Sequence, residues 1–153
     1  MKTNQWIPAG GLLATVVAAG YMVVQLSAQS ATQPTAQPVD FTNAIKAQVK
    51  DAQGQLILEG PFMEPVEEDG GLERRATLAP AGGDTDASGE AEVEYATGTP
   101  TEQEVEFSVE NLMPGATFTF AIDGTDVASA QADRRGRIEV ERNVRMPGAT
   151  GTR

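Results

Sequence analysis

Asp84, Asp86 and Ser88 stand at alternate positions just ahead of Gly89. That is the opening of a calcium-binding loop, in which oxygen side chains at positions 1, 3 and 5 precede a turn glycine at position 6. The closing position, 12, falls on Tyr95, with Glu94 one residue early, and no helical pattern flanks the loop. The pattern therefore argues against a helix-flanked calcium loop, whereas a looser calcium site built on Asp84, Asp86 and Ser88 stays open beside the plainer reading of a solvated turn. Carboxylates also alternate with apolar residues in two other segments. Glu90, Glu92 and Glu94 interleave with Ala91, Val93 and Tyr95, while Glu104, Glu106 and Glu110 fall in phase against Val105, Phe107 and Val109. In two extended strands joined through 96–102, all six carboxylates would share one outer face. Like charges directly opposite one another destabilise a sheet by tenths of a kcal/mol up to about 1. Arg74, Arg75 or Arg137 on a neighbouring strand, a divalent cation or a basic partner would offset them. The functional reading is an acidic docking surface; the plainer one is a soluble face that discourages edge-to-edge aggregation.

Other chemistry is narrowed by what the chain lacks. Its 153 residues contain no His and no Cys. Those absences remove the commonest general base, the thiol nucleophile, and the usual ligands of zinc and copper. Paired carboxylates could run glycoside hydrolysis. Alternating Glu on a sheet is not a cleft, however, and Phe41, Phe62, Tyr95, Phe107, Phe118 and Phe120 mostly fall in core phase, leaving no sugar-stacking platform. A non-enzyme is expected, without a cofactor apart from the calcium reading. The net charge of −11 argues against nucleic acid and against docking on anionic lipid. Arg134, Arg135 and Arg137, with Arg142 and Arg145, form a basic counterpart that could meet a polyanion or the acidic face of another copy.

The elements that must position these groups begin with an apolar segment. Ile7 to Leu26 runs twenty residues without a charge, preceded by Lys2. As a helix it would be about 30 Å long, enough to cross a bilayer. Small residues follow (Ser27, Ala28, Ser30, Ala31), and no Lys or Arg appears until Lys46. Signal peptide and retained anchor share one orientation here, with the N-terminus cytoplasmic and the remainder exported. Residues 1–30 are thus a signal peptide or single transmembrane anchor, 31–42 a Pro- and Gln-containing linker, 43–145 one folded domain, and 146–153 a loose tail. The expected location is periplasmic, secreted or membrane-anchored. The membrane is a partner only through an uncleaved N-terminus; otherwise the partner is an unidentified protein or envelope component.

Within the domain, period-two alternation marks strands over 44–50, 55–59, 73–79, 90–95, 103–110, 116–122, 125–132 and 137–143. Residues 61–72 and 80–88 read as loops. Three copies of one phrase, Asp-x-x-Gly followed by alternation and Glu, begin at Asp51, Asp86 and Asp133. In each, Asp should start a turn and Gly take a positive φ ahead of a strand. Asp123-Gly124 is a two-residue hairpin turn. Short strands with turns between them imply an all-β sandwich or small barrel.

The segment Leu112-Met113-Pro114-Gly115-Ala116-Thr117-Phe118 resembles the L-x-P-G-x-x-Y corner of fibronectin type III and related immunoglobulin-like modules. The resemblance implies an antiparallel, immunoglobulin-like β-sandwich, similar to exported bacterial sandwich proteins, serving as a spacer or binding unit. Phe118 replaces the usual tyrosine, so the hydroxyl bond of that corner cannot form.

Overall fold

The computed structural model describes residues 38–68, 70–82 and 86–148. The apolar segment Ile7–Leu26 and Asp84 lie outside them. Among the described residues no helix is long and apolar enough to cross a membrane.

Among the described residues, nine strands form one antiparallel sheet: β1 (Lys46–Asp51), β2 (Leu56–Pro61), β3 (Val66–Glu68), β4 (Gly71–Pro80), β5 (Ser88–Ala96), β6 (Glu102–Glu110), β7 (Thr117–Ile122), β8 (Thr125–Gln131) and β9 (Ile138–Arg145). The order is β8-β7-β1-β2-β4-β5-β6-β9, with β3 beside β4. The domain is all-β, as the alternation requires. β4 is shared between two partners: Gly71 to Leu78 pair with β5, while only Ala79 and Pro80 pair with β2. The sheet bends at that joint. Gly60 makes the close crossing feasible, since a Cβ there would collide with the Thr77 carbonyl.

The bend brings the two ends of the sheet close together, so the path is nearly closed into a barrel. β8 leads into β9 through the turn at Asp133, closed by Asp133 N–H donating to Arg137 O (2.9 Å). Inward residues of both halves fill one core; Phe107 of β6 and Phe120 of β7 meet with ring centroids 5.1 Å apart. Both rings are fully buried, each contributing about 2–3 kcal/mol of transfer free energy.

The expected turns form in three places. Asp51 Oδ1 accepts from Gln53 and Gln55 N–H, and Asp133 Oδ1 accepts from Arg135 and Arg137 N–H in the same way. Gly136 has φ +75, and its carbonyl accepts from Leu112 N–H at 2.9 Å, which ties this turn to the Pro-Gly corner. Asp123 and Gly124 both have positive φ, the signature of a type I′ hairpin. The copy at Asp86 differs. Gly89 lies inside β5 opposite Val109 and is absent from the positive-φ glycines, so pairing with β6 overrides the local turn signal. The expected loop over 61–72 contains β3, because Val66–Glu68 folds back onto Gly71–Glu73 around Gly70 at φ +84.

One end of the barrel is strapped by the chain entering the domain. Gln103 on β6, 1% exposed, accepts from Phe41 N–H (2.9 Å) and donates to Val39 O (2.5 Å). Arg74 and Tyr95 both donate to Thr42 O, and Phe41 and Ala44 are buried. The core therefore takes in residues upstream of 43.

Candidate functional site

Strand phase decides which side chains face out. On β4, Ala76 and Leu78 are buried, which sends Glu73, Arg75 and Thr77 to the other face; on β5 and β6, buried Ala91, Val93, Val105 and Phe107 do the same for the glutamates. Register then lines them up in rungs. One rung is Arg75–Glu92–Glu106–Glu141, and the next is Glu73–Glu94–Glu104–Asn143. A third is Thr77–Glu90–Ser108–Glu139, and Glu110 stands opposite Ser88. Directly opposed side chains in such a ladder have Cβ atoms about 5 Å apart. The six sequence-expected glutamates do share one face, and β9 extends it with Glu139 and Glu141.

Arg75 is the cation that offsets the charge at one margin. It forms a two-point ion pair with Glu73, one arm at 3.0 Å, and reaches Glu92 at 3.4 Å and Glu68 at 3.9 Å. Glu73 faces outward yet is only 7% exposed, so its charge depends on that partner. Carboxylate oxygens of Glu73, Glu92 and Glu94 lie within 4.8 Å of one another. Arg75 already supplies the positive charge there.

Farther along the face Arg145 stands opposite Glu102 at the end of β9. Partial burial, opposed by Arg75 but reinforced by Glu106, Glu94 and Glu90, pushes the Glu92 carboxyl above its ordinary value. Glu104 is also pushed up, by desolvation and by the charges of Glu141, Glu94 and Glu106. A groove of about 440 Å³ runs along this end, lined among others by Glu68, Glu94, Glu102, Glu104, Tyr95 and Asn143. A second, of about 430 Å³, lies at the opposite end between Glu90, Ser108, Glu110, Arg137 and Glu139.

Other expected residues scatter. Asp86 is exposed in the segment entering β5, and Ser88 is the first residue of β5; their expected companion Asp84 lies outside the described residues. Arg74 faces the strap rather than the glutamates, bonded to Met63 O and Thr42 O. Arg137 pairs with Asp133 at 3.6 Å, whose carboxyl is held below its ordinary value chiefly by the Arg137 backbone N–H. Arg134 and Arg135 are exposed at the same turn.

Comparison of the chain with protein-family models, with curated proteins and with solved structures finds no match. The arrangement of its own residues therefore carries the functional argument.

Proposed function

We propose that the protein is a non-catalytic interaction module whose acidic sheet face docks a basic partner in the cell envelope. In this reading the N-terminal apolar segment exports the domain or anchors it, and residues 31–37 act as a stalk. The domain would be an immunoglobulin-like sandwich whose two halves are joined through β2 and β4, and the N-terminal segment a helix. The observation that carries the proposal is the rung Glu92–Glu106–Glu141, three carboxylates in a row across β5, β6 and β9. Opposed like charges weaken a sheet, and a cationic partner lying across the rungs converts that repulsion into attraction. No side chain on this face is a histidine or a thiol, so binding rather than turnover is the chemistry it offers.

The test is capture of a basic peptide by the full chain in low and high salt. Binding should weaken as salt rises, because exposed charges are screened over about 10 Å at 0.1 M. It should also weaken in the double variant Glu92→Gln, Glu106→Gln. Neutral substitutions suit this test because lysines at both positions would face each other across the ladder. Capture unchanged by the double variant would remove this face from the account.

A further inference from the structure

The domain also carries an apolar region that the acidic face does not use. Among the described residues, four large apolar side chains are well exposed: Ile45 (72%), Met63 (60%), Val66 (65%) and Met113 (69%). Single exposed apolar residues are ordinary, whereas several gathered in one place mark a contact with a protein or a membrane. Three of these four are gathered. Ile45, just ahead of β1, accepts through its carbonyl from Phe62 N–H at 2.9 Å, and Met63 is the next residue. The Arg74 guanidinium donates to Met63 O (3.1 Å) and to Thr42 O (2.9 Å), which ties this segment to the strap. Val66 stands opposite Glu73, the neighbour of Arg74 in β4. All three therefore lie at the strapped end of the barrel. Met113 lies at the other end, between β6 and β7 in the Pro-Gly corner.

We propose that Ile45, Met63 and Val66 form a lipid contact, by which the strapped end of the folded domain rests on the bilayer that holds Ile7–Leu26. The inference rests on the anchored form of the reading above and adds a second attachment, through the domain itself.

The bilayer is assigned by the place where the chain enters the domain. Val39 N–H donates to Arg145 O at the strapped end. Residues 27–37 separate this entry from the uncharged segment Ile7–Leu26, and a chain of that length spans at most about 40 Å. The strapped end is thus the end held nearest the membrane. A tether alone lets a domain turn freely; three apolar side chains entering the lipid interface fix which end faces it, driven by the surface they withdraw from water. Charge then sets the kind of lipid. Glu64 and Glu67 flank Met63 and Val66 and are exposed, while Glu68 pairs with Arg75 at 3.9 Å. Arg74 is engaged by the two carbonyls, and Lys46 pairs with Glu59 at 3.7 Å. The surroundings are acidic on balance, so the contact suits a zwitterionic surface and is weakened by anionic lipid.

The chain has no cysteine, so one introduced thiol carries one label. Ile45→Cys, Met63→Cys, Val66→Cys and Met113→Cys are each labelled with the environment-sensitive fluorophore NBD. The full chain is then reconstituted into phosphatidylcholine vesicles with or without bromine on the acyl chains. Every variant should float with the vesicles. Labels at the Ile45, Met63 and Val66 positions should emit to the blue and lose fluorescence to brominated lipid, and the label at the Met113 position should do neither. Replacing part of the lipid with phosphatidylglycerol should reduce that loss. Flotation without quenching at the three sites, or with equal quenching at Met113, would overturn the lipid contact and leave the anchor standing. Blue-shifted emission at the three sites that brominated lipid does not quench would show a protein covering them, a second copy included, and would equally overturn it. Failure to float would sink the anchored reading, and the contact with it.

Discussion

Replacing Glu106 with lysine should make the domain more stable while making it a poorer docking surface. Glu106 is exposed on β6, with Glu92 directly opposite on β5 and Glu141 directly opposite on β9. Glu106→Lys turns two like-charge contacts into two opposite-charge contacts. Each contact is worth roughly 0.2–1 kcal/mol in either sense, so reversing both swings stability by about 1–4 kcal/mol at low salt. For a domain of this size, Tm rises by about 4–8 °C for each kcal/mol gained. The gain should shrink in about 1 M salt, where the screening length is near 3 Å. A control with the same change of net charge is Glu67→Lys on β3, which faces Leu72 and no carboxylate. Thermal melts of the three proteins by circular dichroism decide the matter. Equal shifts in the two variants would mean that only global charge matters, and a lower Tm for Glu106→Lys would refute the ladder argument outright. A residue that weakens its own fold yet serves binding is the expected mark of a functional surface. A merely solubilising face would gain stability with no loss of peptide capture.

Two further outcomes follow from other parts of the molecule. Gln103→Ala should cost about 2–4 kcal/mol in urea unfolding, because the buried Phe41 N–H and the Val39 carbonyl each lose their partner; a change below about 0.5 kcal/mol would mean the strap is held by other contacts. Stability should also vary with pH in a defined direction. Glu92 and Glu104 have raised folded-state values, so the stability they confer is full below the ordinary carboxylate value and is lost as pH rises through their folded values. Asp133 works the other way, stabilising above its unfolded value and less as pH falls through its depressed folded one. Urea midpoints should therefore rise from neutrality towards mild acid, and Glu104→Gln should flatten that slope. A midpoint that falls steadily over this range would contradict it.

Much of this architecture was legible because side-chain alternation is a strong local signal. Val105, Phe107 and Val109 announce β6 and its buried face, and Phe118 and Phe120 do the same for β7. The same phase put the six glutamates on one side. The misses have physical causes. β3 is three exposed residues after Pro65 and has no apolar alternation; only its pairing with β4 makes it a strand. Gly89 looks like its counterparts Gly54 and Gly136 in sequence, but long-range pairing with Val109 decides its conformation. Arg74 and Arg75 are adjacent, so choosing the one that meets the glutamates required the phase of β4, which buried Ala76 and Leu78 fix. Glu139 and Glu141 carried the alternation signal in Ile138 and Val140. Their place beside β6 follows from strand order, which is a non-local property.

The most direct test of the docking face is a chemical-shift map of the ¹⁵N-labelled full chain titrated with a basic peptide of alternating lysine and threonine. The account predicts perturbations concentrated on Glu92, Glu94, Glu104, Glu106 and Glu141 and their strand neighbours, fading as salt is added. Shifts spread evenly over every acidic segment, including Glu64, Glu67 and Glu68, or confined to the segment around Asp86, would contradict it.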